Sequence, residues 1–428
     1  MFACWGRLAH NLFQTNRHRS PFEAATATRR SVAPSKSIMP LIWYEQTCNS
    51  YLPDITVGTK LGAGCFGVVL SARHKPSDTG VALKVSNKRS ELLSNPKALH
   101  RARAEARVLR KLGSCPFIVR CFGALEDDAT LVLVLSLEAG SSLAHIVSTR
   151  GPMDEKAHGA PIAFQLARAL RFCHQRKIAH RDVKLDNVVY DGARAVLVDF
   201  GLAINVRTQG SRLDVKCGSA EYNAPEVLDP ASKGYYGPAT DMWALGVLTY
   251  TLLVGRFPFG SAQTKICRGQ LDKSALDASG CSAGAREFVA ACLTVDPNSV
   301  QKVNRLSSAE ACKHPWLRPY EPAVEKAAAS VPPLPSDELS EYVGAAAARA
   351  AAERDGAVEA VDDGAATERA TGGLWPGAVE SINDAAIVAD VDVAQGDSAS
   401  CDEGREAEAT ARLLQLSMAS MVDDDDEI

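Results

Sequence analysis

A charged cluster stands directly before an apolar strand in AHRDVKLDNVVYD, residues 179–191. The cluster combines basic, acidic and amide side chains: His180, Arg181, Asp182, Lys184 and Asn187. A second apolar strand, AVLVDFG, ends in Asp199, twelve residues after Asn187. Two strand-flanking acids, Asp182 and Asp199, together with Asn187 supply the hard oxygen ligands that Mg²⁺ prefers. The stretch therefore predicts a magnesium-dependent site.

Upstream of this cluster, LGAGCFGVVL, residues 61–70, contains a G-x-G-x-x-G pattern. The same glycines open the dinucleotide-binding βαβ unit, in which a helix should begin at the third glycine. Here VVLSAR and VALKV follow instead, separated by a turn at PSDTG, and both are typical of strands. The loop thus joins two strands. A glycine loop of this kind can lie over the phosphates of a nucleotide.

Lys84 stands among apolar residues in VALKV, where Val81, Leu83 and Val85 share one face of the strand. A lysine on a solvated strand face is the simpler alternative. The helical stretch KALHRARAEARVLRKL, residues 97–112, offers a partner, because Glu105 falls in its inward stripe. Glu105 and Arg101 on the helix surface form the competing pair. Since a buried carboxylate and a buried ammonium each need a partner, the pattern favours a Lys84–Glu105 ion pair.

The order of these motifs is improbable by chance, and the sequence resembles a eukaryotic serine/threonine protein kinase over residues 55–317. The resemblance continues in Ala-Pro-Glu at 224–226, in DMWALGVLTYTLL and in the closing HPWL. KCGSAEYNAPE and TLLVGRFPF look most like the calcium/calmodulin-dependent and AMP-activated branch. The resemblance implies an α+β, bilobal kinase fold, with a small antiparallel β-sheet N-lobe that carries one main helix and a larger, mainly helical C-lobe. It also implies transfer of the γ-phosphoryl group of ATP, with Mg²⁺, to Ser/Thr hydroxyls of protein substrates.

The resemblance carries site roles over residue by residue. It implies that the ATP site contains Leu61, Gly62, Gly64, Gly67, Val69, Ala82, Lys84, Glu105, Leu135 and Leu137. It makes Leu135 the gatekeeper and residues 136–138 the hinge. Asp182 is the implied acceptor of the substrate proton and Lys184 the group that stabilises the transferring phosphoryl. Asn187 and Asp199 are the implied magnesium ligands.

The activation segment, residues 199–226, departs from the pattern of its relatives. Val215 stands where relatives commonly carry a phosphorylated Thr that pairs with the arginine equivalent to Arg181. Asp214 is the nearest acid, and a carboxylate has less charge than a phosphate. We expect Asp214 to order the segment partially by pairing with Arg181. Ser219 is expected near the catalytic Asp and Lys rather than as a switch.

Two further expectations concern residues that the family uses for pairing and recognition. Arg305 is expected to pair with Glu226, although the spacer after Asp296-Pro297 is longer than usual. Ser142 stands where many relatives carry an acid, which weakens the expectation of an arginine preference in the substrate, and Asp186 is the other acid available for it. A pseudokinase scaffold is the competing function. Scaffolds of this fold often lack the lysine, the catalytic Asp or the magnesium Asp, and here all are present.

The chain has 428 residues and a net charge of −4, unevenly distributed. From Arg318 onward there are 25 acidic and 7 basic residues, whereas the preceding part holds 26 acidic and 40 basic. We predict disorder for residues 318–428, an acidic, Ala-rich tail that either solubilises the protein or folds back onto the basic kinase domain. Residues 1–50 are predicted to be a disordered basic extension or an organellar transit peptide.

The composition also bears on compartment and partners. The twelve cysteines include no CxxC pair, which favours reduced thiols inside the cell. We expect a cytoplasmic or nuclear protein, with organellar import by residues 1–50 as the alternative. Apolar runs are too short for a membrane span. Neither a nucleic acid nor a membrane is expected as a partner.

Overall fold

The computed structural model describes residues 52–64, 67–88, 96–206, 213, 216–229, 234–260, 263–295, 305–330 and 336–359. Residues 1–50 lie outside this set, so what the sequence predicts for them stays a prediction. Within it, a small β-sheet with one long helix is followed by a larger, mainly helical lobe, which confirms the predicted α+β bilobal fold. No described helix is both long and apolar enough to cross a bilayer.

The N-terminal lobe is built on a five-stranded sheet of order β1-β2-β3-β5-β4, in which every neighbouring pair is antiparallel. Its strands are β1 (Ile55–Gly64), β2 (Gly67–His74), β3 (Thr79–Asn87), β4 (Cys121–Glu126) and β5 (Thr130–Ser136). Side chains alternate between the two faces of a strand. In β3 that alternation buries Val81, Leu83 and Val85 on one face and places Lys84 on the other.

The third glycine of the loop is required by packing between strands. Gly67 has φ 149°, and a Cβ there would lie 2.0 Å from the carbonyl oxygen of Val85. No side chain fits such a contact, so β2 can cross this close to β3 only with glycine. The strand-loop-strand prediction for LGAGCFGVVL is therefore correct on both sides of Cys65 and Phe66, which lie outside the described residues.

Helix α1 (Pro96–Leu112) packs against the sheet and carries Glu105. Ala102, Glu105, Leu109 and Leu112 are all buried, as the i, i+3, i+4 stripe predicted. The helix begins with Pro96, which needs no hydrogen-bond partner for its nitrogen at this position. The amphipathic pattern thus turns a carboxylate toward the interior of the lobe.

The C-terminal lobe contains short strands and a succession of helices. In chain order they are β6 (Ser141–Ser142), α2 (Leu143–Arg150), α3 (Ala160–Gln175), β7 (Ile178–Ala179), β8 (Val188–Tyr190), β9 (Ala195–Leu197), β10 (Ile204–Asn205), α4 (Pro225–Leu228), α5 (Gly237–Val254), α6 (Gln263–Cys267), α7 (Lys273–Ala278), α8 (Ala283–Cys292) and α9 (Ser308–Ala311). Strands pair as β6-β8-β9 and β7-β10.

Helix α5 forms the centre of this lobe. Sixteen of its eighteen residues are buried, in keeping with a sequence that is apolar on nearly all sides. Trp243 stacks on Phe259 with ring centroids 5.4 Å apart. Gly255 ends the helix in the left-handed conformation that glycine adopts readily. A fully packed helix gives the lobe a rigid base for the loops above it.

The Arg305–Glu226 pair expected from the sequence is present. Nη1 and Nη2 of Arg305 lie 2.8 and 3.2 Å from the two carboxylate oxygens of Glu226. The same guanidinium donates to the carbonyls of Ala239 and Thr294 and lies over the ring of Trp243. Its side chain is 1% exposed. The pair therefore ties the end of the activation segment to the core around α5.

The prediction of disorder from Arg318 onward is wrong for two segments. Helix α10 (Glu321–Ala329) buries Val324 and Ala327. In helix α11 (Ser336–Glu359), four of the side chains that the structure describes, those of residues 338–352, are buried, at i, i+4, i+7 and i+11 spacing. Those four are Leu339, Val343, Ala346 and Ala350. Alanine is the best helix former, and a narrow stripe of small and branched residues suffices to pack one face. Residues 360–428 lie outside the described residues.

Replacement of Glu226 by alanine should strongly destabilise the protein, because it leaves the buried guanidinium of Arg305 without its counter-charge. We expect the free energy of unfolding to fall by about 3 kcal/mol or more. Urea unfolding followed by tryptophan fluorescence measures the change. Glu221→Ala, at an exposed position five residues earlier, is the matched control and should stay within about 0.5 kcal/mol of wild type. An equal, small effect of both variants would show that the pair does not anchor the segment.

Candidate active site

The ammonium of Lys84 lies between two carboxylates. Its Nζ is 2.7 and 2.8 Å from the two oxygens of Glu105 and 2.9 Å from Oδ1 of Asp199. Glu105 is 3% exposed and pairs with Lys84 rather than with Arg101. Burial by itself lowers the pKa of Lys84, but attraction to Glu105 and Asp199 outweighs it and raises the pKa well above the ordinary value. Lys84 is therefore held as a cation in the cleft.

Asp199 combines an unusual backbone with an ionised side chain. Its φ is 59°, in the left-handed region that non-glycine residues seldom adopt. Burial raises the pKa of its carboxyl, but Lys84 and the amide of Gly201 outweigh that effect and lower the pKa to about 2. The next residue, Phe200, is fully buried and packs edge-on against the ring of His180, with centroids 4.5 Å apart. The buried ring anchors the turn that presents Asp199.

The hairpin of β8 and β9 brings the two predicted magnesium ligands to the same end. Asn187 directly precedes β8, and Asp199 follows β9 by two residues, while Val188 faces Leu197 in the register. The amide of Val198 donates to the carbonyl oxygen of Asn187 at 2.9 Å. Chain positions twelve residues apart are therefore neighbours in the cleft.

Asp182 is held from both sides of its carboxylate. Oδ2 accepts hydrogen bonds from Lys184 at 2.8 Å and from Nδ2 of Asn187 at 3.0 Å. Oδ1 accepts from the amide and the hydroxyl of Ser219, at 3.2 and 3.1 Å. Lys184 also donates to the Ser219 hydroxyl at 2.9 Å. The structure thus brings together Asp182, Lys184 and Ser219, as the sequence predicted, and fixes the direction of the Asp182 carboxylate.

A buried acid that the sequence analysis did not single out supports the loop that carries Asp182. Asp241, 1% exposed in α5, accepts from the backbone amides of His180 and Arg181 at 2.9 and 2.7 Å. It also lies 2.9 Å from Nε2 of His174. Arg181 has φ 65°, and these bonds hold it in that conformation. One signal in the sequence could have revealed this role: Asp241 is the only acid in the apolar stretch DMWALGVLTYTLL, and a buried carboxylate needs hydrogen-bond donors.

Apolar side chains occupy the positions that the resemblance assigns to the adenine part of the ATP site. Leu61 and Leu137 are large apolar residues with 52% and 39% exposure, which is unusual for leucine in the described part of the chain. Ala82 is buried and Val69 half-buried on the cleft face of the sheet. A Cβ added at Gly62 would meet no described atom within 4 Å, so the backbone there is open to a ligand. Gly64 pairs with Gly67 at the end of the β1–β2 hairpin. The exposed leucines suit a flat, partly apolar ligand group, and the open backbone at Gly62 suits its phosphates.

The predicted hinge is held by a polar network. Leu135 is buried at the end of β5, and the following Ser136 accepts from the amide of Arg120 and donates to Glu138. Glu138 in turn pairs with Arg194 at 2.6 Å, with both side chains mostly buried. Sequence analysis missed this pair, because the two residues are 56 positions apart in unrelated motifs. The network fixes the segment between the lobes.

Arg181 contacts both the activation segment and the residues that follow it. Its Nε donates to the carbonyl of Leu202 at 2.8 Å, and Nη1 lies 3.3 Å from the hydroxyl of Tyr235. Leu213 exchanges two backbone hydrogen bonds with Tyr235. Asp214 lies outside the described residues, so its pairing with Arg181 stays a prediction.

The serine at position 142 has a local structural role. Its side chain caps helix α2 and accepts a hydrogen bond from the amide of His145 at 3.2 Å. Serine is one of the preferred residues at a helix N-cap. A hydroxyl here stabilises α2 but gives no negative charge to the substrate side of the cleft.

A glycine-lined cleft above a lysine, two acids and an amide defines the class of bilobal kinases. Residues 55–317 match the protein kinase domain. The chain is 34% identical over 276 residues to the serine/threonine-protein kinase RAD53 of Saccharomyces cerevisiae, which covers 60% of this chain and 32% of that protein. It is 33% identical to calcium-dependent protein kinase 25 of Oryza sativa subsp. japonica, over 61% of this chain and 48% of that protein.

A third relative is the Aurora kinase of Dictyostelium discoideum, 32% identical over 63% of this chain and 67% of that protein. The kinase domain makes up more than half of the chain, so the chain belongs to the protein kinase family. It spans about a third and about half of the length of the first two relatives.

Members of this family use ATP and Mg²⁺. The residues present here fit a magnesium ion. The carboxylate of Asp199 is ionised and 48% exposed. Since Asn187 donates through Nδ2 to Asp182, its amide oxygen is the atom it would offer to a cation. Carboxylate and amide oxygens are the hard ligands that Mg²⁺ takes alongside water and phosphate oxygens.

Lys84→Met should raise the pKa of Asp199 above about 2, because the attraction that outweighs burial is lost and only Gly201 and His180 still lower the pKa. In wild type, the ionised Asp199 stabilises the fold above pH 3.8, and that contribution is lost as pH falls through about 2. NMR titration of the labelled aspartate carboxyls measures the pKa. Lys60→Met, which removes an exposed lysine of β1 and should leave the Asp199 pKa unchanged, is the matched control. An unchanged Asp199 pKa in Lys84→Met would contradict the assignment.

Proposed function

We propose that the protein is an active ATP-dependent serine/threonine protein kinase that transfers the γ-phosphoryl group of ATP to hydroxyls of protein substrates. The observation that carries the proposal is the placement of Lys84 between Glu105 and Asp199, at 2.7 and 2.9 Å. These two ion pairs join the sheet, helix α1 and Asp199 in one charged cleft. Phosphoryl transfer needs such positioning and charge neutralisation more than covalent chemistry by the protein.

Each polar group of the cleft has a part in the proposed reaction. Lys84 binds the α- and β-phosphates of ATP, and the glycine loop lies over them. The carboxylate of Asp182 accepts the proton of the substrate hydroxyl as that oxygen bonds to the γ-phosphorus. The bond from phosphorus to the β-phosphate oxygen breaks, and ADP leaves with the electron pair. Lys184 balances negative charge on the transferring group.

Magnesium and adenine complete the proposed substrate complex. Asn187 and Asp199 would hold Mg²⁺, which would supply positive charge against that of the phosphates. Leu61 and Leu137, together with Val69 and Ala82, would cover the two faces of the adenine ring. Burying this exposed leucine surface favours binding by about 25 cal/mol per Å². The half-exposed leucines are thus explained by a ligand that covers them.

Specificity for serine and threonine follows from Lys184 and Ser219. Both contact the carboxylate of Asp182, Lys184 at Oδ2 and Ser219 at Oδ1. Similarity to a serine/threonine kinase and to a calcium-dependent kinase supports this specificity and the proposed branch. A pseudokinase scaffold is disfavoured, because Lys84, Asp182, Asn187 and Asp199 are present and brought together.

Phosphoryl transfer should depend on each charged group of the cleft. With radiolabelled ATP, Mg²⁺ and a generic acceptor protein, Lys84→Met, Asp182→Asn and Asp199→Ala should each lower the rate by about 10²-fold or more. The label should appear on phosphoserine or phosphothreonine. Asp78→Asn, at an exposed turn at the far end of β2 and β3, is the control and should retain full activity.

The variants must keep the wild-type circular dichroism spectrum for the comparison to hold. Asp199→Ala with wild-type activity would overturn the proposed site. A wild-type protein that binds ATP but transfers no phosphate would favour the scaffold.

The part of the acidic tail beyond α11, residues 360–428, is proposed to contact the kinase domain within the same chain. Residues 360–428 hold 17 acidic and 3 basic side chains, whereas residues 1–317 hold 40 basic and 26 acidic. Attraction between the two is screened by salt, with a Debye length of about 10 Å at 0.1 M. Because α10 and α11 are folded, the chain can be cut after Glu359 without removing either helix.

Removal of residues 360–428 should raise kinase activity at low ionic strength, and the difference from the full chain should vanish at high salt. Phosphate transfer at about 20 mM and about 500 mM NaCl, on either side of the screening range, measures this. A companion variant is the full chain with Asp423–Glu427 changed to Asn and Gln, which keeps the length, removes five of the 17 acidic charges and should reproduce part of the rise. Equal activities at low salt would leave the tail with a solubilising role only.

A further inference from the structure

Helix α11 bridges the two edges of the N-lobe sheet. The hydroxyl of Tyr342 accepts a hydrogen bond from the amide of Asp54, just before β1, at 3.0 Å. The Tyr342 ring also packs on His74 at the end of β2, with centroids 4.8 Å apart. The next residue, Val343, contacts Gly123 in β4. Since β1 and β4 are the two edge strands of the sheet, neighbouring residues of α11 contact one edge strand and the residue that precedes the other.

The contact with β4 is close enough to require glycine. A Cβ at position 123 would lie 2.5 Å from Cγ1 and 3.2 Å from Cβ of Val343, and no other described atom lies within 4 Å of it. Val343 is fully buried, and its branched side chain has few rotamers with which to move aside. Leu339, Ala346 and Ala350 are buried on the same stripe of the helix. Helix and strand therefore fit each other at one defined position.

Strand β4 is linked in turn to both halves of the Lys84–Glu105 pair. Its last residue, Glu126, accepts from Nε and Nη2 of Arg103 at 2.9 and 2.5 Å. Arg103 stands on α1, two residues before Glu105. Lys88, which follows β3, lies 2.8 Å from the same Glu126 carboxylate. Burial raises the pKa of Glu126, but the bonds from Arg103 and Lys88 outweigh it and lower the pKa, so the link is ionic.

We propose that α11 is a positioning element for phosphoryl transfer: Tyr342 ties the helix to Asp54 and His74, Val343 holds β4, and β4, through Glu126, holds α1 where Glu105 meets Lys84. The helix lies beyond the kinase domain, which ends at residue 317. Its kinetic consequence rests on the proposed kinase function, whereas the mechanical link from α11 to α1 does not. Side chains of α11 act through β4 and α1 and do not themselves contact the nucleotide.

A steric change and its compensation test the link. Gly123→Ala adds a methyl group where Val343 stands and should push α11 from β4. We expect kcat to fall by roughly tenfold or more, because small displacements of a positioned group are costly. Val343→Ala removes the obstructing methyls, so Gly123→Ala/Val343→Ala should return to within about twofold of wild type, as expected for a coupled pair. Gly344→Ala, an exposed position with no described atom near the new methyl, is the matched control.

Two readouts separate positioning from mere stability. The first is kcat and KM for ATP, measured well below the melting temperature of each variant. The second is amide hydrogen exchange over residues 97–112, which should speed up in Gly123→Ala and recover in the double variant. Gly344→Ala should change neither readout.

The inference is overturned if Gly123→Ala lowers the melting temperature but leaves kcat and the exchange of α1 unchanged. It is also overturned if the double variant is no better than Gly123→Ala, because the added methyl would then act elsewhere. If the wild-type protein transfers no phosphate, the proposed function fails. The exchange of residues 97–112 in the same proteins then decides the link by itself.

Discussion

One ammonium group, that of Lys84, joins the three parts on which the cleft depends. It is carried by the sheet, and its partners come from α1 and from the turn after β9. Removing a charge from water is expensive unless partners replace the water. Moving any of the three parts away would leave a buried charge without its partner, and this loss of free energy keeps the three together. Two carboxylates around one cation leave an excess of negative charge, which suits a site that receives a divalent cation together with phosphates.

A second buried charge supports the floor of the cleft. Asp241 receives three donors, and two of them are backbone amides of the catalytic loop. Arg181 and Asp199, on the two sides of the cleft floor, both have positive φ. Such conformations cost free energy and persist only where neighbouring contacts impose them. A rigid α5, buried on nearly all sides, supplies the acid that imposes one of them. The strained backbone thus lies next to the reacting groups, and the hydrogen bonds to buried Asp241 offset its cost at Arg181.

Much of this site could be predicted from the sequence because its parts follow each other at short, fixed distances. The spacing of Asp182, Asn187 and Asp199 reflects one loop and one hairpin, and the alternation in β3 fixes the face on which Lys84 lies. Asp241 and the Glu138–Arg194 pair were not predicted, since their partners stand about 60 positions away and no local period reveals them. Asp214 and the tail beyond residue 359 lie outside the described residues.

The tail helices show why composition misled the prediction there. A segment with few large apolar residues cannot form a core of its own, and alanine-rich sequence was therefore assigned to disorder. Helix α11 needs no core of its own, because the sheet provides one side and Gly123 admits Val343. A narrow stripe of four small or branched residues is therefore enough to pack the helix against the sheet. The folded unit consequently extends past the kinase domain, and the edges of the N-lobe sheet are closed by residues that the family's own motifs do not include.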